Sequence, residues 1–339
     1  MKETYSRSKS VWQRMNARER KAAMAYGEKY KAFLDTARTE RLAAAEIIRR
    51  AEEKGFKPVY AMKSLKAGDK VYWNQKDKSV ILAVIGKEPV YEGIKIVGSH
   101  IDSPRLDLKA NPVHEQDGIV YFRTHYYGGI KKYQWTCIPL ALIGVVFTKD
   151  GKKVDINIGL KDSDPVFYVS DLLIHMAQDQ MKKTLAEGIT GEQLQAVAGT
   201  HSEEGQTPKD AIMALLKKEY GIEEEDFAAA ELELVPATKS RDVGFDRSLI
   251  ASYGQDDRVC SYANLEAILD AKPGVKTQAA LLTDKEEIGS YGNTGMESSY
   301  FVKFVMKLLA LQGQESLLDF YETCLLYTSP SPRDTERSR

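Results

Sequence analysis

The spacing of apolar positions changes along the chain. Over residues 10 to 54, Tyr26, Tyr30, Phe33, Leu34, Leu42, Ile47 and Ile48 recur at helical intervals among Ala, Glu, Arg and Lys, which predicts two helices. From residue 58 the runs shorten. KVYWN at 70 to 74 and SVILAVIG at 79 to 86 are β-prone pieces parted by polar turns. KIVGSHID at 95 to 102 is a β-branched run that gives way after Gly98 to polar side chains. A strand ending at a site has that texture, because α/β sheets gather functional groups at the carboxyl ends of their strands.

From about 107 to 245 the pattern alternates differently. GIVYFRTHYYGG, CIPLALIGVVF at 137 to 147 and KVDINIGL read as strands, SDLLIHMAQDQMKKTLAEG as a helix, and a polar, acidic stretch runs to 226. ELELVPATKS at 231 to 240 closes the region with another strand. After 250 come a helix in DDRVCSYANLEAILDA, the strand QAALLTD at 278 to 284, the loop KEEIGSYGNTG and a helix from about 297 to 311. The α/β pattern therefore stands on both sides of a different texture. The predicted fold class is α/β, a mixed sheet with helices on both faces, made of residues 1–106 and 246–323 and carrying a β-rich inserted domain at 107–245. The final CLLYTSPSPRDTERSR, residues 324–339, is Ser, Pro and Arg rich and continues no predicted element. It reads as a non-native tail, placing an interruption of the natural chain near Cys324.

Composition narrows the function. A chain of 339 residues with 43% hydrophobic and 29% charged positions has ample core material for more than one compact unit. Its 48 Lys and Arg balance 49 Asp and Glu, so no overall field recommends nucleic acid or an anionic membrane. The amino end lacks an apolar signal-peptide segment, and no window approaches the roughly 18 apolar residues of a membrane span. Cys137, Cys260 and Cys324 are odd in number, widely spaced and without a CxxC pair, which points away from a disulfide scaffold or thiolate zinc site and toward the cytoplasm.

The candidate chemistry lies at the strand and helix junctions. A hydrolytic two-metal site needs His and Asp or Glu converging on ions about 3.5–4 Å apart. His100, Asp256, Glu286 and Glu287 all sit at such junctions. Asp102, two residues after His100, can accept the imidazole N–H that faces away from a metal. Of Glu286 and Glu287, one can bind metal while the other takes a proton from water. A constrained peptide bond serving this geometry is expected between Asp102 and Pro104. Each motif alone has an ordinary explanation: a structural histidine, a helix N-cap, a solvated acidic loop. Their order gives them weight. Ser99, His100 and Asp102 do not make a nucleophilic triad, because neighbouring strand residues point to opposite faces.

VGSHIDSPRLDLKANP at 97 to 112, HYYGGIKKYQW at 125 to 135 and TDKEEIGSYGNTG at 283 to 295 together resemble the M18 family of metallo-aminopeptidases, in particular its bacterial branch, over residues 10 to 323. The resemblance implies two zinc ions per site, with Co2+ or Mn2+ as substitutes. His100 would ligate one ion, Asp256 would bridge both, Glu287 would be a further ligand, Glu286 the general base, and Asp102 the residue orienting His100. It also implies peptide substrates with acidic or neutral N-terminal residues, and a dimer-based larger homo-oligomer built through the inserted domain. His175 would then reach a neighbouring subunit's site. Two further family ligands, an Asp and a final His, are expected after the segment FYETC at 320 to 324. Asp334 has the wrong context, and no histidine follows His201. Loss of one supporting partner of a metal ligand typically costs about 10–100-fold in affinity or activity, so loss of two ligands points to an inactive chain.

Two other functions stay open at the level of sequence. One is a related two-metal carboxypeptidase or deacylase; the other is a non-catalytic fragment that associates through its inserted domain. YYGGIKKYQW at 126 to 135 is expected as a turn on an oligomer-facing loop rather than a nucleic-acid platform. His114, His125 and His201 read as structural or surface residues, and EEED at 223 to 226 as a solvated charge run.

Overall fold

The helical spacing at the amino end produces α1 (Val11–Arg14), α2 (Ala17–Thr36) and α3 (Glu40–Glu53) in the computed structural model, which describes residues 10–314 and the backbone of 325–328. Asn16 and Glu19 form a reciprocal capping box that starts α2, and the Thr39 hydroxyl accepts from Leu42 N to start α3. Four strands follow: β1 (Lys57–Pro58), β2 (Lys70–Gln75), β3 (Ser79–Val84) and β4 (Ile94–His100). Seven more lie between Arg105 and Pro236: β5 (Arg105–Gln116), β6 (Ile119–Tyr127), β7 (Pro139–Phe147), β8 (Lys153–Ile158), β9 (Phe167–Tyr168), β10 (Ala196–Gly199) and β11 (Ala230–Pro236). Helices α4 (Leu185–Gly188) and α5 (Pro208–Tyr220) interrupt them. A ribbon of β12 (Arg241–Val243) and β13 (Leu249–Ala251) then leads into α6 (Gln255–Leu269), β14 (Thr277–Thr283), α7 (Tyr300–Leu311) and β15 (Leu325–Thr328).

The first sheet has the order β1-β2-β3-β14-β4-β15. It is mixed: β14 runs antiparallel to β3 but parallel to β4, in register from Thr277 opposite Ile94 to Thr283 opposite His100. Every residue of β3 is buried, as expected of a central strand covered on both faces. Leu82, Val84, Ala280 and Leu282 pack with Phe33, Ile47 and Leu265 of α2, α3 and α6. Alternate residues Ile81, Ala83, Ala279 and Leu281 pack with Phe304 and Leu308 of α7 on the opposite face. The period of two thus divides each strand between two helical layers.

The second sheet has the order β11-β5-β6-β10-β9-β7-β8, and β11 also pairs with β7, closing a ring of strands around Leu106, Phe122, Leu142 and Leu234. Gly144 on β7 permits that closure: a Cβ there would lie 1.9 Å from the Glu231 carbonyl oxygen. No helix among the described residues is long and apolar enough to cross a membrane.

Three segments differ from their sequence patterns. SDLLIHMAQDQMKKTLAEG forms turns, a short 3-10 segment and α4 rather than one helix. Leu173, Ile174 and Met176 are 63–71% exposed, so the segment has no apolar stripe to bury within the chain, and packing is what sustains most short helices. Asp171 also engages Leu172 N and the Gln180 side chain. In the polar stretch before 226, α5 is present, started by the Thr207–Asp210 capping box with Pro208 in the first turn and ended by Gly221 in the left-handed conformation. Asp226 of EEED is buried, accepting from Lys149 N and Glu223 N. At the carboxyl end, Leu325–Thr328 pairs parallel with β4, so part of the predicted tail extends the sheet; Asp334 lies outside the described residues.

The two sheets meet across buried charge. Arg105, which opens β5, approaches Glu40 at 3.4 Å, Glu233 at 3.3 Å and Asp107 at 2.7 Å. Lys78 lies 3.1 Å from Glu40 and 3.0 Å from Glu231. Burial opposes ionisation of Glu40, but Arg105 and Lys78 hold its carboxyl far below the usual range. Burial pushes the Glu233 carboxyl well up. Replacing Arg105 by Ala leaves these acids without their central counter-charge, and breaking such a buried pair costs about 3–5 kcal/mol. Chemical denaturation of Arg105→Ala is therefore expected to show a loss of that size; unchanged stability would contradict this role.

Candidate metal centre

The parallel register of β4 and β14 ends both strands at one level, so the loops that follow emerge side by side. His100 is the last residue of β4, and Asp102 follows at 0% exposure. Past Thr283, a single 3-10 turn, Glu286–Ile288, presents Glu286 and Glu287, entered through Lys285 and left through Gly289, both at positive φ. The third contribution is the start of α6. Gly254, at φ 72°, takes the N-cap position, where a Cβ would lie 1.7 Å from Arg258 Nη1. Asp256 and Asp257 have non-helical backbones at this entry and do not serve as the cap. The cis peptide lies between Asp256 and Asp257, not between Asp102 and Pro104 as the sequence suggests.

His100 Nε2 lies 3.3 Å from Asp256 Oδ1 and 3.6 Å from Glu286 Oε2. Its Nδ1 lies 3.1 Å from the Asp102 carbonyl oxygen and 3.2 Å from Asp102 Oδ1. With Nδ1 held by Asp102, Nε2 is turned toward the carboxylates of Asp256 and Glu286. Asp102 in turn accepts from Glu286 N at 3.2 Å, Glu287 N at 3.3 Å and Tyr127 Oη at 2.7 Å. Donor atoms of His100, Glu286 and Glu287 all lie within 4.8 Å of one another.

Charge at this site is unbalanced. Burial alone would lower the His100 pKa, yet hydrogen bonds to Asp102 and Asp256 and the charge of Glu286 raise it to about 10. The His100 hydrogen bond holds Asp256 below its usual range. Burial, with the charges of Asp102, Asp256 and Glu286, pushes Glu287 up to about 7 despite His100. One imidazole among four carboxylates is an anionic excess that a divalent cation would offset. Nitrogen and carboxylate donors of this kind fit zinc.

Sequence reading missed several residues that build the site. Ser261 of α6 donates to the His100 carbonyl at 2.7 Å, and His100 N lies 3.4 Å from Asp257 Oδ2. Tyr127, the last residue of β6, and Gly128, in the bend that follows where a turn was expected, lie beside the centre; a Cβ on Gly128 would lie 3.1 Å from Glu287 Cβ. The pair GG in YYGG was the available signal, since close backbone approach favours glycine. His175 lies in an exposed turn and outside the His100 group.

A family model described as Aminopeptidase I zinc metalloprotease (M18) matches residues 33–329. The chain belongs to the M18 family. It is 47% identical over 313 residues to a protein named probable M18 family aminopeptidase 1 from Clostridium acetobutylicum, covering 90% of this chain and 67% of that one. Among solved structures, an M18-family aminopeptidase from Thermotoga maritima superposes with a TM-score of 0.89 at 39% identity, covering 94% of this chain and 71% of the other. Aminopeptidase I from Borrelia burgdorferi gives 0.83 at 36% identity, covering 95% and 75%.

A ligand that binds only the folded chain stabilises it, by roughly 2.7 kcal/mol at a hundred times its dissociation constant. Zinc is therefore expected to raise the thermal midpoint of the M18 chain, and His100→Ala to abolish the rise while His114→Ala preserves it. An equal rise in both variants would place the ion elsewhere.

Proposed function

We propose that the M18 chain is a zinc-dependent aminopeptidase that removes acidic or neutral N-terminal residues from peptides by a two-metal mechanism. The observation that carries this reading is the convergence of His100, Glu286 and Glu287, at the ends of two parallel strands, with Asp256 at the start of α6. His100, Glu287 and a bridging Asp256 would hold zinc, with Co2+ or Mn2+ as substitutes. Zinc supplies Lewis acidity toward the scissile carbonyl and toward water.

The protein's own groups do the rest. Glu286, about one-third exposed, can accept a proton from the attacking water and return it to the leaving amine. Asp102 fixes the ring of His100, so that Nε2 faces the carboxylates. A free substrate amine is cationic at neutral pH, and the surrounding carboxylates favour it over a blocked terminus. The exposed apolar run around Leu173, Ile174 and Met176 supports assembly of the inserted domain, residues 107–245, with further copies, where His175 would approach a neighbouring site.

A second reading, a non-catalytic chain that only associates through its inserted domain, residues 107–245, draws on the same exposed Leu173, Ile174 and Met176. Parallel assays of zinc-loaded protein on a free-amine peptide and its N-acetylated counterpart separate the possibilities. The aminopeptidase reading expects cleavage of the free peptide alone, and a loss of roughly 100-fold or more in turnover for Glu286→Gln with zinc still bound. Equal cleavage of the blocked peptide points to a deacylase or carboxypeptidase; zinc binding without turnover supports the non-catalytic reading.

A further inference from the structure

Asp102 is fully buried, and besides His100 its carboxylate takes three donors from two directions. Glu286 N and Glu287 N, at 3.2 and 3.3 Å, belong to the loop whose side chains the site must aim. They cannot fix Asp102 independently of that loop. The third donor, Tyr127 Oη at 2.7 Å, comes from the other sheet, at the end of β6. Tyr127 is only 7% exposed, so little solvent is available to replace it. Burial, with the charges of Asp102 and Asp284, pushes its phenol far up, so it remains a donor.

Tyr127 is itself anchored. The Arg105 guanidinium lies 3.7 Å from the ring centroid, and Arg105 is held in turn by Glu40, Asp107 and Glu233. The next residue, Gly128, at φ 73°, passes so close to Glu287 that a Cβ would lie 3.2 Å from its Oε2. The last residue of β6 therefore touches Asp102, and the residue after it passes close to Glu287.

We propose that Tyr127, seated on Arg105, is a positioning residue that sets zinc affinity by holding Asp102 and, through it, His100 and the Glu286–Glu287 turn. This rests on the zinc reading of the same site. Tyr127→Phe removes one hydroxyl and keeps the ring under Arg105, so it separates the hydrogen bond from packing.

The test is zinc titration of the full chain against a competing chelator for wild type, Tyr127→Phe, Asp102→Asn, their double variant and Tyr126→Phe, with thermal unfolding of each metal-free protein. Tyr127→Phe is expected to weaken zinc by about 10–100-fold with little change in metal-free stability. In the Asp102→Asn background it should add almost nothing, and Tyr126→Phe should match wild type. Wild-type affinity in Tyr127→Phe would overturn the proposal, as would a loss that adds in full to Asp102→Asn, an equal loss in Tyr126→Phe, or a stability change without an affinity change. A wild-type chain that binds no zinc removes the zinc reading and this proposal together. Zinc binding that Tyr127→Phe leaves untouched overturns the positioning role alone.

Discussion

The site depends on one pairing: β4 and β14 lie parallel and in register, with His100 opposite Thr283. Parallel neighbours end on the same side of a sheet, so the residues just past both strands share one edge. A slip of one residue would turn His100 to the other face and separate it from the Glu286–Glu287 turn. Burial resists such a slip, because alternate residues of β14 belong to different helical layers, Ala280 and Leu282 against one and Ala279 and Leu281 against the other.

The second sheet contributes more than a neighbouring body. Its first strand begins at Arg105, three residues beyond Asp102, and the end of its second strand returns to Asp102 through Tyr127. Buried charge on α3, β5 and β11, with Lys78 just before β3, joins the two sheets directly behind this contact. Such a network is costly to bury and costly to break, which makes it a rigid support wherever its geometry is complete. The carboxylates around His100 therefore stand at strand ends of the first sheet and the start of α6, and are braced by the second sheet.

Much of this was legible in the sequence where local pattern and tertiary environment agree. SVILAVIG and QAALLTD are apolar and β-prone, and they form the two central strands. HxD, DD and EE stood at element ends, and the fold brings those positions together around His100. Agreement failed where long-range contacts decide. SDLLIHMAQDQ has a helical composition, but without a surface to bury its apolar residues it forms turns. Leu325–Thr328 carries no periodic signal, yet the free edge of β4 supplies a ladder for it. The contact of Tyr127 was hidden for the same reason: its partner is 25 residues earlier, in the loop that follows a strand of the other sheet.

In the proposed reading a zinc ion would be held by one imidazole and several carboxylates where β4, β14 and the start of α6 meet. X-ray absorption at the zinc edge of the chain loaded with one equivalent of metal tests this most directly, because multiple scattering from imidazole counts histidine ligands and sulfur is distinguished by its longer bond, about 2.3 Å against 2.0–2.2 Å for nitrogen and oxygen. The prediction is a shell of one imidazole with oxygen donors and no sulfur. A shell containing sulfur, several imidazoles or none would contradict it.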